Sequence, residues 1–166
     1  EQVKRDVAQL GLLGIKPTYN SSKYGYLIPK QRSNEQMMIG SFKEKPSEEE
    51  AQQLIELGAY WNSGVFAFPV SLIIHKLEQL NLPFDFQILQ QRFSELPKNS
   101  FDYEVVEQLN HIIALTYDGY WKDLGTWNTL TEEMSQQVIG NGGMSEDCIN
   151  THIINELDLP VKVLGI

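Results

Sequence analysis

The sequence has a single cysteine, Cys148, so no disulfide can form within the chain. No apolar run approaches membrane-spanning length and nothing resembles a signal peptide, which points to the cytoplasm. Basic residues are scarce: 13 Lys and Arg stand against 22 Asp and Glu, for a net charge of −9. That balance argues against a nucleic-acid backbone or an acidic membrane as partner. Neither standard Gly-rich phosphate loop occurs, and no nucleophile elbow. The three histidines, His75, His111 and His152, are far apart, lack zinc-ligand spacing and read as structural.

What is present is ordinary globular material, 166 residues with 42% hydrophobic and 21% charged composition, enough to bury one good core. The charge is uneven. Residues 1–45 hold eight of the thirteen Lys and Arg against four acids, so that end could receive an anion.

The most informative stretch runs from Ser41 to Phe68. A strand over Met37–Phe42 ends in Lys43, Glu44, Lys45 and Pro46, and Ser47 with Glu50 then reads as a capping box. Ala51, Leu54 and Ile55 form the apolar stripe of a helix that Gly58 can stop in a left-handed turn. A strand over Trp61–Phe68 follows. Its end, Val65, Phe66, Ala67 and Phe68, is apolar without alternation, as in a strand covered on both faces of a parallel or mixed sheet. Ligands of open α/β sheets bind beyond the carboxyl ends of strands, where Glu44 and Lys45 sit. Asn62, Ser63 and Gly64 interrupt the next strand with an amide that donates and accepts and a glycine that admits close approach. Alone, these residues favour the plainer reading, a solvated strand end and an ordinary turn.

Around this unit, Glu1–Leu10 reads as a short polar helix, Leu12–Ile15 as a strand and Tyr24–Pro29 as a strand start with Gly25 between two tyrosines. Residues 31–36 read as a polar turn. Helices are expected from Pro69, from Pro83, and over Ser100–Gln108 with Ser100 or Asp102 near the cap. His111–Tyr117 is a strand, and Thr126 caps a last helix carrying Trp127, Leu130 and Met134. Asp123, beside a glycine and a helix start, suits Mg²⁺, which takes one or two carboxylates and otherwise water or phosphate oxygens. It could equally cap that helix or pair with Lys122. The chain opens within a predicted helix and closes on a strand-like run, Val161–Ile166, and so looks like a piece of something longer.

The order of short motifs carries more. Gly14-Ile15-Lys16-Pro17-Thr18, Tyr24-Gly25-Tyr26, Phe42-Lys43-Glu44-Lys45-Pro46, Trp61-Asn62-Ser63-Gly64-Val65-Phe66, Ser100-Phe101-Asp102-Tyr103 and Trp121-Lys122-Asp123-Leu124-Gly125-Thr126-Trp127 follow one another at compatible gaps. This series resembles the sugar-phosphate half of bacterial mannose-1-phosphate guanylyltransferases, within the larger family of sugar nucleotidyltransferases. The likeness covers most of residues 11–130. It implies a Rossmann-like mixed α/β sheet flanked by helices, in agreement with the alternating strands and helices. Residues 1–136 would be the sugar-phosphate half, and 137–166 a linker and the start of a C-terminal region.

By that resemblance Gly25 offers its backbone to the sugar, Glu44 accepts from sugar hydroxyls, Asn62 binds another hydroxyl, and Thr18 and Tyr26 belong to the same substrate-binding set. Lys45 lies toward the phosphates and, with Asp123, is the catalytic candidate. Asp123 would be the second of two aspartates holding Mg²⁺. The reaction implied joins mannose-1-phosphate and GTP to give GDP-mannose and pyrophosphate. Before Tyr24 the family usually has Pro and Gly where this chain has Asn20 and Lys23. The family's nucleotide loop and first metal aspartate would lie upstream of residue 1, so the chain alone is expected to be inactive. An unpaired strand edge left by that division would favour association with itself, a homo-oligomer. Transfer to another sugar-1-phosphate or nucleotide, and a non-catalytic sugar-nucleotide-binding module, are the alternatives.

Overall fold

The computed structural model describes residues 8–33 and 36–165. The chain divides into two compact units, Glu1–Gly119 and Tyr120–Ile166. The expected helix over Glu1–Leu10 falls mostly outside the described residues, and Leu10 already begins a strand.

In the first unit, strands β1 (Leu10–Ile15), β2 (Gly25–Ser33), β3 (Gln36–Glu44), β4 (Tyr60–Ala67) and β5 (Ile112–Tyr117) form a mixed sheet. It closes on itself in the order β1, β4, β2, β3, β5. β1 and β5 pair in parallel, and the other pairings are antiparallel. Helices α1 (Glu48–Glu56), α2 (Val70–Gln79), α3 (Phe86–Gln91) and α4 (Phe101–Glu104) complete the unit. The α/β character is as expected, but the strands make a ring and not an open sheet. β5 pairs with both β1 and β3, so each of the five strands has a neighbour on both sides over at least part of its length, although β2 and β4 pair only at Tyr26–Trp61 and Leu27–Tyr60.

Period-two alternation builds the core. Leu10 and Leu12 of β1, Leu27 of β2, Met37 and Ile39 of β3, and Ile112 and Ala114 of β5 point inward and are buried. Val106, in the helical turn Val106–Gln108 after α4, closes over them. Phe101 of α4 packs on Phe66 and Phe68, at 5.2 and 5.4 Å between ring centroids. This contact lays the 100–108 segment against the ring.

Three local expectations need correction. Gln31, Arg32 and Ser33 continue β2 and Gln36 opens β3, so the polar run is an exposed hairpin arm; Asn34 and Glu35 lie outside the described residues. Over Gln31–Ser33 the polarity reports solvent on the strand and not a turn. Val65 is 54% exposed and Ala67 is exposed, so the end of β4 is covered on one face only, with Phe66 turned to the core. α1 is capped by Ser47, whose Oγ accepts from Glu50 N–H at 3.2 Å, but Glu50 does not reach back to the cap. Its carboxylate lies 3.6 Å from the Lys43 ammonium. Gly58, at φ +80°, does stop the helix in a left-handed turn.

In the second unit, Thr126 caps α5 (Trp127–Glu133) through Thr129. Within residues 137–165, the stretch expected as a linker and the start of a C-terminal region, lie strands β6 (Val138–Gly140), β7 (Gly142–Met144), β8 (Ile153–Asn155) and β9 (Val161–Val163). β6 pairs with β8 and β7 with β9, both in parallel. Asn155, 7% exposed, donates from Nδ2 to the carbonyls of Asn141 and Leu159 at 2.7 and 2.8 Å and fastens the turn between them. Among the described residues no helix is long and apolar enough to cross a membrane.

Candidate functional site

Strand register brings three of the expected residues together. Gly25, first in β2, lies directly opposite Glu44, last in β3, while Tyr26 faces Lys43 on one side and Trp61 of β4 on the other. Asn62 follows Trp61. The glycine is required by packing: a Cβ at position 25 would stand 2.5 Å from Glu44 Oε2 and 2.6 Å from the Phe42 ring.

Glu44 is only 7% exposed and is held from several directions. Its backbone N–H donates to Glu107 Oε1 at 3.0 Å, and its carbonyl accepts from the Tyr103 hydroxyl at 3.3 Å. Lys45 adopts the left-handed conformation, φ 45°, and its backbone N–H donates to the Tyr24 carbonyl at 3.1 Å. Non-glycine residues held this way collect at functional sites. The turn leaves the Lys45 ammonium exposed, 3.6 Å from Glu44 Oε1.

Asn62 is fixed at both ends of its amide. Nδ2 donates to Asp102 Oδ1 at 2.8 Å, and Oδ1 accepts from the Gly64 N–H at 3.0 Å. Asp102 sits in the first turn of α4, whose cap Ser100 accepts from Tyr103 N–H at 3.4 Å. Burial pushes the Glu44 carboxyl above its ordinary range, the charge of Asp102 adds to this, and Lys45 opposes it. Burial likewise raises Asp102, against its hydrogen bonds to its own backbone and to Asn62.

The other expected residues behave differently. Tyr26 is fully buried; its hydroxyl donates to the Ser21 carbonyl at 2.9 Å and accepts from Ser21 N–H at 3.0 Å. Its side chain therefore ties down the loop before β2 and leaves only backbone for a ligand. Thr18 lies in an exposed bend beside Tyr19, whose ring packs edge-on against Trp61 at 4.9 Å.

Asp123 belongs to the second unit. Neither of its alternative roles is present: Thr126 caps α5, and Lys122 binds Glu132 and Glu133 at 2.6 and 2.8 Å. Asp123 Oδ1 accepts from the Gly125 N–H at 2.7 Å. This half-exposed carboxylate fits Mg²⁺ as one ligand. Among the described residues no group of three His, Cys, Asp or Glu side chains converges on a metal position.

The sequence gives Asp102 only a candidate place near the helix cap, which Ser100 takes, and gives Tyr103 and Glu107 no role in a site, although the motif Ser100-Phe101-Asp102-Tyr103 was the available signal. The arrangement presents a buried acceptor and an exposed cation at the end of β3 and a rigid amide on β4, with the start of β2 between them. Such a set suits a polyhydroxylated anion.

Comparison with known proteins gives the family. Over 95% of its length the chain is 27% identical to the mannose-1-phosphate guanylyltransferase RfbM of Salmonella typhimurium, covering 37% of that protein. With the mannose-1-phosphate guanylyltransferase of Sinorhizobium fredii it shares 31% identity over 80% of the chain and 30% of the relative. The chain thus spans about a third of the length of these curated relatives. A crystal structure described as mannose-1-phosphate geranyltransferase, from Thermus thermophilus, superposes with a TM-score of 0.64 at 27% identity, over 95% of this chain and 53% of that one. The model of the nucleotidyl transferase family matches residues 2–138, and with that match the chain belongs to this family.

Proposed function

We propose that the chain is the sugar-phosphate half of a cytoplasmic enzyme that joins mannose-1-phosphate and GTP to give GDP-mannose and pyrophosphate. The observation that carries this reading is the Glu44 carboxylate packed against Gly25 of β2, with the fixed Asn62 amide on the strand at the other side of β2. Glu44 is an acceptor for sugar hydroxyls, Asn62 a donor, and Lys45 a cation for the phosphate. In the complete enzyme the five strands would be part of a Rossmann-like sheet.

A phosphate oxygen of the sugar-1-phosphate attacks the α-phosphorus of the nucleotide, a new P–O bond forms, and the bond to pyrophosphate breaks. Side chains do little covalent work in such a transfer. They hold two anions that repel each other and offset charge as it shifts. Asp123 would hold Mg²⁺, which supplies Lewis-acid charge neutralisation at the phosphates when bound. With no Gly-rich phosphate loop in its sequence, the chain alone binds sugar phosphate without turning over.

Calorimetric titration of this chain with mannose-1-phosphate and glucose-1-phosphate tests the reading, beside a pyrophosphate-release assay with GTP and Mg²⁺. Binding that favours mannose-1-phosphate, with no pyrophosphate released, is expected. Failure to bind any hexose-1-phosphate would overturn the sugar-site assignment, and release of pyrophosphate would overturn the inactivity of the chain.

A further inference from the structure

Chemistry leaves the Asn62 amide only one orientation. An ionised Asp102 can only accept and the Gly64 N–H can only donate, so Nδ2 must face the first and Oδ1 the second. A flipped amide would set its oxygen against a carboxylate and its NH₂ against an N–H, two unfavourable contacts in place of two good ones. The fixed amide keeps one N–H and one lone pair free. Glu44, on β3, lies across β2 from Asn62, with the side-chain-free Gly25 of β2 opposite it, and offers acceptor oxygens.

We infer that Asp102 is a positioning residue for sugar specificity: it locks Asn62 so that the free amide N–H, across β2 from the Glu44 carboxylate, reads the donor and acceptor sense of one ligand hydroxyl. This rests on the sugar-phosphate reading of the site. A hydroxyl that donates to Glu44 and accepts from Asn62 satisfies both groups. A ligand lacking that hydroxyl leaves both unpaired, and sites built to hydrogen-bond a hydroxyl reject the analogue lacking it far more strongly than apolar pockets reject a changed alkyl group.

The lock depends on the 100–108 segment. Ser100 caps α4, Phe101 packs on Phe66 and Phe68, and Tyr103 donates to the Glu44 carbonyl, so one short segment holds the partners of both Asn62 and Glu44. Asp102 raises the ionisation range of Glu44 through its charge, a second sign that the two carboxylates face a common space.

The test uses the full chain as wild type, Asp102→Leu and Asp102→Asn. The probes are mannose-1-phosphate and its 2-, 3- and 4-deoxy analogues, read by calorimetry, and the Asn62 side-chain amide, read in ¹H–¹⁵N spectra. Wild type should discriminate against one deoxy analogue by about tenfold or more, the worth of about 1.4 kcal/mol of hydrogen bonding. In Asp102→Leu that ratio should fall toward one, and the two Asn62 amide protons should become alike in exchange. Asp102→Asn keeps the size and one acceptor, which guards against a folding defect, and should restore part of the ratio. Equal weakening toward all four ligands, with the Asn62 amide unchanged in both variants, would overturn the inference and leave Asp102 a structural residue. A wild-type chain that bound none of the sugar phosphates would overturn the sugar reading, while the amide spectra would still decide whether Asp102 locks Asn62.

Discussion

The Glu44 region and the Asp123 segment hold their carboxylates in opposite ways. Glu44 is buried against Gly25 and fastened through its backbone to Glu107 and Tyr103. Asp123 is half-exposed and accepts a short-range bond from the Gly125 N–H. A carboxylate that must read a hydroxyl benefits from being fixed and desolvated before ligand arrives, because a rigid acceptor loses no rotamer freedom on binding. A carboxylate that takes a hydrated cation needs the reverse: free lone pairs and room for water. The two local environments match the two tasks proposed for them.

The largest effect should come from Glu44→Gln. It keeps the shape and one acceptor but gives up charge-assisted hydrogen bonds, at a cost of about 1.5–3 kcal/mol in mannose-1-phosphate affinity. Calorimetry reads this directly. Melting should move little or rise, since the variant removes a buried charge whose ionisation burial opposes. Unchanged affinity would leave Glu44 a buried structural carboxylate with no part in ligand binding and remove the contrast of tasks with Asp123.

Gly25→Ala comes next, because the added methyl meets Glu44 Oε2 and the Phe42 ring well inside contact distance. Overpacking of this kind costs about 1–3 kcal/mol of stability. Here it also displaces the Glu44 carboxylate, so melting temperature and sugar-phosphate affinity should fall together. A loss of melting temperature alone would mean that Phe42 yields and the carboxylate stays in place.

These two positions also show how much was legible beforehand. Gly25, Glu44, Lys45 and Asn62 stood out as candidates because they lie in the ordered series of short motifs; their local signals alone, a glycine inside a strand, charges at a strand end and an amide interrupting an apolar run, did not assign them a role. Asp102 and Glu107 could not be assigned, because their roles arise only when the 100–108 segment folds across strands far away in sequence. The same limit applied to the fold. Alternating strands and helices were visible, but closure of the ring depends on β5 pairing with both β1 and β3, and no local pattern encodes that. Tyr26 marks a subtler failure, since its place in a site motif gave no hint that its hydroxyl is spent on Ser21.

A pH titration separates the regions further, with a smaller effect. Glu44 and Asp102 both have folded-state ionisation raised by burial, above ordinary values of 4.5 and 3.8. Between the ordinary and raised values the folded chain binds more protons than the unfolded one, so these groups add stability as pH falls through that window and lose it as pH rises. Sugar-phosphate affinity should move the opposite way, falling on acidification as Glu44 takes up a proton and loses its acceptor charge. Melting and calorimetry across this range would show the two trends crossing. In Asp102→Asn the affinity loss should shift to lower pH, because a neighbouring negative charge is gone.

The smallest effect is expected at Asp123, and it tests the other side of the comparison. An asparagine can accept from the Gly125 N–H through its Oδ1 as the aspartate does, and the position is half-exposed. Asp123→Asn should therefore leave the melting of this chain within about 0.5 kcal/mol of wild type, the usual range for surface changes that break no structural feature. The carboxylate charge is what the substitution removes. In the complete enzyme the same variant should raise the Mg²⁺ concentration needed and lower turnover, since an amide cannot replace that charge. A destabilisation above about 1 kcal/mol would instead make the Asp123–Gly125 turn a structural element. Its carboxylate would then resemble that of Glu44, fixed by the fold, and the difference drawn between a prebuilt hydroxyl reader and an open cation ligand would not hold.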